Sequence, residues 1–522
     1  MASEAPKGPT GLMDEDGRGE GTVTLGEHEE SSRMHASMLV QIGPAMLTVL
    51  ACLIAVYVVP DLAFMRPWTS EDPLPFWNIS ERPFQDQAVV AAKEEKVERV
   101  DDIAREALQE GPEPVIVAER EVVEVEPGDA LPAYEPHPDD EKTVEQSLEL
   151  FEGKELDRFF ASLARSDASL EGAVTRVVHW GDSAIGVDGI PGAIRKRLQA
   201  RFGDAGHGFH AMAPPNTSYR HKGVEFDHND NWGLCFIIQK CRSDGHYGLS
   251  GANTYSSGGA QSSFAPDKKH SSGHVSRFDL YYAARPRGGK LKLVVDDQEP
   301  IYIDTASETL EDRFHAIEVE DGYHELTVRA SGGGRVRVFG VALERDGPGV
   351  VWDGLALVGA FTRRLLEFDP EHLKAQLERR QPQLAVFMFG GNDMIRDVTM
   401  ATYTKEYREV IQRVRTARPD MDCLVMSPLD HGQRKGVRIE SLPVVPRMVQ
   451  AQREAAKAEG CAFFDTFMAM GGEGSAGRWY KKNPRLVSGD LSHVTHSGQI
   501  VIGEMFYRAL MEAYVAYRRA NG

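Results

Sequence analysis

The sequence predicts an α/β fold built on a parallel sheet covered by helices, with an antiparallel β-sandwich inserted into it and one transmembrane helix ahead of it. Three observations carry that prediction. Before residue 212 and again after residue 348, short apolar runs alternate with amphipathic helical patterns, the rhythm of βαβ units. Between 212 and 348 the texture changes to short alternating runs separated by Gly- and Asp-rich turns, such as Phe278-Asp279-Leu280-Tyr281-Tyr282 and Lys290-Leu291-Lys292-Leu293-Val294-Val295, which is the pattern of a sandwich. Between 38 and 59 the chain is nearly all apolar and has no Asp, Glu, Lys or Arg, a length that spans a bilayer core as a helix.

Residues 1–37 are rich in Gly, Glu and Ser without apolar periodicity and read as a disordered tail. The transmembrane helix covers 38–60; a long acidic stretch before it and the lack of a small-residue cleavage site after Val59 argue against a cleaved signal peptide. Residues 61–145 form an acidic, Pro-rich linker whose self-repulsion keeps it extended, with a short helix around 100–108. The α/β domain occupies 146–211 and 349–522 and the sandwich 212–348. Residues 144–165 open it as an amphipathic helix carrying Leu148, Phe151, Leu156, Phe159, Phe160 and Leu163. After the insert come a helix over 361–380, a strand ending at Gly390, a helix over 403–417, a strand from Cys423 to Met426, a helix over 445–459, a strand beginning at Cys461, and an apolar C-terminal helix.

The net charge of −20 argues against nucleic acid as a partner, because phosphate backbones are bound by net positive surfaces. Five cysteines are too few for a disulfide scaffold. Cys235 and Cys241 can close a small loop or stay reduced, Cys423 and Cys461 read as small buried thiols in core strands, and Cys52 lies in the apolar span. The histidines between His207 and His274 lack metal-ligand spacing, and Asp227-His228-Asn229-Asp230-Asn231-Trp232-Gly233 fails the calcium-loop pattern, with Ile238 at its last ligand position. No metal or cofactor is expected. Gly203-Asp204-Ala205-Gly206-His207-Gly208-Phe209 lacks the lysine of a phosphate loop and reads as a structured turn.

The candidate chemistry begins at Val177-Val178-His179-Trp180-Gly181-Asp182-Ser183, an apolar run that breaks into Gly-Asp-Ser and then into a helix on which Ile190, Ile194, Leu198 and Phe202 recur every four positions. Ser183 at such a junction is either a helix cap or an exposed nucleophile. Two later stretches favour the nucleophile. The apolar run ending in Gly390-Gly391-Asn392-Asp393 offers Asn392 as an amide donor to an oxyanion, and Ser488-Gly489-Asp490-Leu491-Ser492-His493 offers His493 as a base oriented by Asp490. His496 is a second histidine within reach of that role, without the Asp-x-x-His spacing.

Those blocks resemble the SGNH (GDSL-type) hydrolases: Gly181-Asp182-Ser183 is similar to the first block of that family, Gly391-Asn392-Asp393 to the third and Asp490-Leu491-Ser492-His493 to the fifth. The resemblance covers about 174–204 and 350–516 and places the second-block glycine at Gly359, in Leu357-Val358-Gly359-Ala360. It implies a three-layer fold, catalytic Ser183, Asp490 and His493, and an oxyanion hole of Ser183, Gly359 and Asn392. The glycine-dense segment before the insert is similar to that of SGNH proteins related to peptidoglycan O-acetylesterases. The resemblance therefore implies an esterase acting on O-acetyl groups of an envelope polysaccharide such as peptidoglycan; the uncleaved apolar span followed by a linker suits an enzyme anchored in a bacterial inner membrane with its catalytic domain in the periplasm. An O-acetyltransferase acting on a glycan, or a catalytically silent glycan-binding anchor, are the alternatives, and the sandwich is either a carbohydrate-binding module or a lid.

Overall fold

The computed structural model describes residues 48–52, 54–55, 58–59, 82–109, 122–123, 131–269 and 272–521. The tail 1–37 and most of the span 38–60 lie outside the described residues, among which no helix is long and apolar enough to cross a membrane.

Eighteen strands and nine α-helices build the molecule among the described residues. The first strand is β1 (Val174–Gly181). The insert holds β2 (Gly206–Ala211), β3 (Val224–His228), β4 (Gly233–Phe236), β5 (Ala252–Ser256), β6 (Gln261–Pro266), β7 (Val275–Ala284), β8 (Lys290–Val295), β9 (Ile301–Asp304), β10 (Glu311–Gly322), β11 (Leu326–Ala330) and β12 (Val336–Glu344). Then come β13 (Gly349–Ala356), β14 (Leu384–Met388), β15 (Asp422–Met426), β16 (Gly432–Lys435), β17 (Arg438–Ser441) and β18 (Ala462–Phe464). The helices are α1 (Arg82–Gln109), α2 (Asp157–Asp167), α3 (Gly189–Phe202), α4 (Pro370–Arg380), α5 (Met400–Ala417), α6 (Val444–Ala458), α7 (Thr466–Ala469), α8 (Ser475–Tyr480) and α9 (His496–Asn521).

The central sheet is parallel, in the order β13-β1-β14-β15-β18. Parallel strands are buried on both faces, and successive side chains alternate between two cores. Val177, Leu384, Val386 and Leu424 pack with α2, α3 and α9, whereas Val178, Trp180, Ala385, Phe387 and Val425 pack with α4, α5 and α6. The insert is two antiparallel sheets, one ordered β10-β7-β12-β5-β4 with β2 paired to β12, the other β3-β6-β11-β8-β9. Leu280, Val341, Phe264, Leu291 and Val328 fill the space between them.

Several elements differ from the sequence expectation. The glycine-dense turn is in part a strand, β2, because its backbone pairs with β12. The helix expected over 144–165 forms only as α2; ahead of it Glu149 exchanges two backbone hydrogen bonds with Phe463 at the edge of β18, and Glu155 accepts the Glu152 and Lys154 amides. The helix expected over 361–380 is broken before Pro370, where Asp369 caps α4. The acidic stretch read as an extended linker holds, in place of the short helix expected around 100–108, the longer α1, whose Val100, Ile103 and Ala107 are buried. Its carboxylates meet fixed cations and a phenol hydroxyl instead of repelling one another: Glu106 binds Arg508 at 2.7 Å, Asp140 binds Arg201 at 2.7 Å, and Tyr507 donates to Asp139 at 2.6 Å. Cys235 and Cys241 are disulfide-bonded. Cys423 and Cys461, expected as thiols, are bonded as well, because neighbouring β15 and β18 bring them to 4.7 Å between Cα atoms.

One ionic junction ties the insert to the sheet. Arg380 on α4 holds Asp353 of β13 through two hydrogen bonds, 2.6 and 2.9 Å, and also binds Glu344 of β12, which accepts from Arg176 of β1 at 2.8 and 2.9 Å. Arg380, Asp353 and Glu344 are all buried. Burial alone would raise the Glu344 carboxyl, but Arg380 and Arg176 hold it well below the usual carboxylate range. Arg380→Met leaves two buried carboxylates short of their cation, and urea denaturation is expected to show a loss of about 3–5 kcal/mol.

Candidate active site

The carboxyl ends of β13, β1 and β14, three adjacent strands, carry the loops that hold Gly359, Ser183 and Asn392. Gly181 closes β1 where a Cβ would stand 2.6 Å from the Met388 carbonyl oxygen, so a side chain there would push the two strands apart. Asp182, not Ser183, caps the next turn: its Oδ1 accepts the Ala184 amide at 2.9 Å. The Ser183 hydroxyl is thereby left for another partner. A short turn, Ser183–Asp188, separates it from α3, with Val187 and Asp188 in the left-handed region at φ 54° and 50°. Such conformations cost on the order of 1 kcal/mol each. The buried Asp188 carboxylate holds the turn through Arg195 at 2.5 Å and the Lys222 amide at 2.8 Å.

Ser183 Oγ lies 2.8 Å from His493 Nε2, and His493 Nδ1 lies 2.7 Å from Asp490 Oδ2. Asp490 Oδ1 accepts the Ser488 hydroxyl at 2.6 Å and the Ser492 and His493 amides at 3.0 and 3.1 Å. Partial burial opposes its ionisation, but the Ser488 hydroxyl, the Ser492 amide and His493 outweigh it and keep the carboxyl far below its ordinary range. An ionised Asp490 fixes the proton on Nδ1 and leaves Nε2 as the acceptor facing the serine. His496 starts α9 and faces Lys222 Nζ at 3.4 Å, away from this chain of bonds.

Two buried carboxylates lash the three loops together. Asp182 Oδ2 accepts the Gly391 amide at 3.0 Å, which binds the serine loop to the Asn392 loop. Asp393 Oδ2 accepts the Thr362 amide and hydroxyl at 2.9 and 2.8 Å, which binds the Asn392 loop to the segment after Gly359. Burial pushes Asp182 up to about 6, with help from Asp393 and against the Ala184 and Gly391 amides; it raises Asp393 too, against hydrogen bonds from Thr362 and Arg396. The Asn392 carboxamide donates to the Ala360 carbonyl at 3.2 Å, which seats it beside Gly359. Gly359 needs its φ of +84° to close the turn in which the Ala360 amide bonds the Leu357 carbonyl. Ser183, Gly359 and Asn392 are thus gathered at one sheet edge, where their N–H groups can face an oxyanion.

The sequence reading missed His431. It follows β15, the fourth strand, and its ring stands 3.3 to 3.4 Å from where a Cβ on Gly391 would be. Burial, and then the neighbouring His493, lower it to about 4, so it is neutral at neutral pH. The signal that marks it is Asp430-His431-Gly432 in the loop that follows an apolar strand, the placement that also marks Ser183 and Asn392.

Among the described residues one group, His246, Asp312 and His372, has the geometry to surround a metal ion. His372 is already committed: its Nε2 accepts the Gly248 amide at 2.8 Å, so Nδ1 carries the proton and donates it to Asp312 Oδ1 at 2.7 Å. A metal at Nδ1 would have to displace that proton. The trio joins α4 to the insert and lies on none of the loops around Ser183.

The structure joins Ser183, His493 and Asp490 in one hydrogen-bonded chain, the arrangement by which serine hydrolases activate their nucleophile. Residues 321–499 match the GDSL-like Lipase/Acylhydrolase family. The chain carries a domain of that family and is a serine esterase; the matched segment holds Gly359, Asn392, Asp490 and His493, while the insert separates Ser183 from it in sequence. Among curated proteins none matches the chain in sequence. A solved peptidoglycan O-acetylesterase shares the fold, with 19% identity and a TM-score of 0.58 over 69% of this chain and 96% of that one. A family two carbohydrate esterase from Cellvibrio japonicus aligns at 12% identity and a TM-score of 0.17 over 46% of this chain and 86% of that one. A psychrotrophic esterase from Pseudoalteromonas sp. aligns at 14% and 0.24 over 31% and 76%.

A raised carboxyl favours the fold only while protonated, so the stability Asp182 contributes is present below about pH 4 and lost as pH rises through about 6. Measured against Asp182→Asn by urea denaturation, wild-type stability is expected to fall by about 2–3 kcal/mol across that window. The variant's kcat on a small ester is expected to drop about 10- to 100-fold, because one carboxamide oxygen cannot serve amides on two loops.

Proposed function

We propose that the esterase removes O-acetyl groups from an envelope polysaccharide such as peptidoglycan. The observation that supports this most is the unbroken bond chain from Ser183 through His493 to Asp490, set beside Gly359 and Asn392, in a fold shared with a peptidoglycan O-acetylesterase. In this reading His493 Nε2 takes the Ser183 proton as Oγ attacks the acetyl carbonyl. The Ser183 and Gly359 amides and the Asn392 side chain hold the oxyanion. The sugar hydroxyl leaves with the proton from His493, and the acetyl group stays on Oγ. Water, deprotonated by His493, then attacks that ester and releases acetate. Anchoring through residues 38–60 and a periplasmic position belong to the same proposal. They rest on the uncharged apolar run and are supported by two disulfides, which suit an oxidising compartment.

Acetate release by residues 82–522 from O-acetylated peptidoglycan and from an aryl acetate tests the reading. Wild type is expected to release acetate from both and Ser183→Ala from neither; a wild type inert on every ester overturns it, and release of the aryl alcohol only when a glycan acceptor is added, with the acetyl group recovered on that glycan instead of as acetate, makes the protein a transferase. Asn392→Ala is expected to lower kcat about 100- to 1,000-fold with a small change in KM, since in this reading its side chain meets the substrate at the oxyanion and not at the ground-state ester.

A further inference from the structure

Against a net charge of −20, the surface beside the Ser183–His493 pair carries cations without acidic partners. The hairpin β16–β17 has Arg-Lys-Gly-Val-Arg over 434–438, and Arg485 lies just ahead of the loop that holds Asp490 and His493. The Arg434 and Arg485 guanidinium carbons stand 5.3 and 4.6 Å from the centre of the Tyr480 ring, so the two charges are at most about 10 Å apart. Both residues are exposed. Among the described residues neither has a carboxylate within ion-pair distance, whereas Lys435 on the same hairpin is paired with Glu440 at 2.8 Å. Two like charges gathered on one ring repel, and the negative face of the phenol offsets only part of that cost. A bound anion would remove the rest.

The backbone fixes this cluster to the reacting groups. The Gly432 amide at the hairpin base donates to the Leu491 carbonyl at 2.8 Å, between Asp490 and His493. The Ser488 amide donates to the His493 carbonyl at 2.8 Å and the Thr495 hydroxyl to the Arg485 carbonyl at 2.6 Å, so 485–488 runs alongside 493–495. Arg434 pairs across the hairpin with Ile439, and Ile439 packs on Gly477 of α8, which aims this face of the hairpin at Tyr480. The arginine pair is thus built onto the same backbone that carries Asp490 and His493.

Resting on the esterase reading, we propose that Arg434, Tyr480 and Arg485 form a subsite for an anionic group, carboxylate or phosphate, on the acylated polymer. Planar guanidinium groups bind such oxyanions in a two-pronged fashion, and a local cationic pair offsets the repulsion between an acidic protein and an acidic polymer.

The test compares wild type with the Arg434→Gln/Arg485→Gln double variant on four esters: 4-nitrophenyl acetate, O-acetylated glucomannan as neutral glycan, O-acetylated pectin for carboxylate, and an O-acetylated glycerol phosphate polymer for phosphate. The double variant is expected to raise KM on one or both acidic polymers about tenfold with kcat nearly unchanged, an effect erased at about 0.5 M NaCl, and to leave the aryl acetate and the neutral glycan untouched. Whichever acidic polymer shows the larger shift identifies the anion. Equal losses on neutral and acidic glycans, or none on either acidic polymer, overturn the subsite. Sedimentation of the Ser183→Ala form with insoluble pectin and with the phosphate polymer gives an answer independent of turnover: salt-sensitive binding to either that requires both arginines supports the subsite even if every ester proves inert, and binding indifferent to them refutes it.

Discussion

Two buried carboxylates hold the site in shape. Asp393 stands close enough to Asp182 to raise it beyond what burial does, and each gives one oxygen to a backbone amide of a different loop. Three loops that leave adjacent parallel strands have no reason of their own to keep a fixed spacing. The carboxylates supply it, and the cost of burying them is met by amide hydrogen bonds instead of by cations alone. This leaves the Ser183 hydroxyl outside the lashing, facing His493.

A second buried ionic set does for the insert what those carboxylates do for the loops. Arg380 reaches from a helix of the α/β part to strands on both sides of the insertion boundary. An antiparallel sandwich joined by two chain connections alone would be free to swing; anchored at β12 and β13, it is continuous with the sheet whose ends carry the site. The hydrophobic core agrees, since Tyr281 and Phe339 from the insert pack in the same cluster as Trp180 and Phe387 from the parallel sheet.

Much of this was legible in the sequence because its signals are local. Val177 to Trp180 and Leu384 to Phe387 are continuous apolar runs, as strands buried on both faces must be, and each ends in glycine followed by polar residues. The Asp490-x-x-His493 spacing is local as well, and the structure joins that pair. What escaped was non-local. Residues 144–156 carry apolar side chains at helical spacing, but an open strand edge at Phe463 gave their backbone better partners. The acidic stretch looked self-repelling because Arg201 and Arg508, its counter-charges, come from helices far along the chain. Cys423 and Cys461 sit 38 positions apart, and only the parallel pairing of their strands makes them neighbours. His431 escaped because its importance lies in facing Gly391 and His493, two residues of other loops.

The insertion also sets a timetable. Ser183 and the histidine that would activate it are 310 positions apart, with the whole sandwich and most of the parallel sheet between them. A nascent chain displays the serine early, but as an ordinary alcohol, which attacks no ester at neutral pH. Only when the segment leading into the final helix has emerged and docked does the base arrive. With the roles proposed for Ser183 and His493, reactivity is the last property this chain acquires, after its core is closed, and a truncated or half-threaded copy carries the serine without the base.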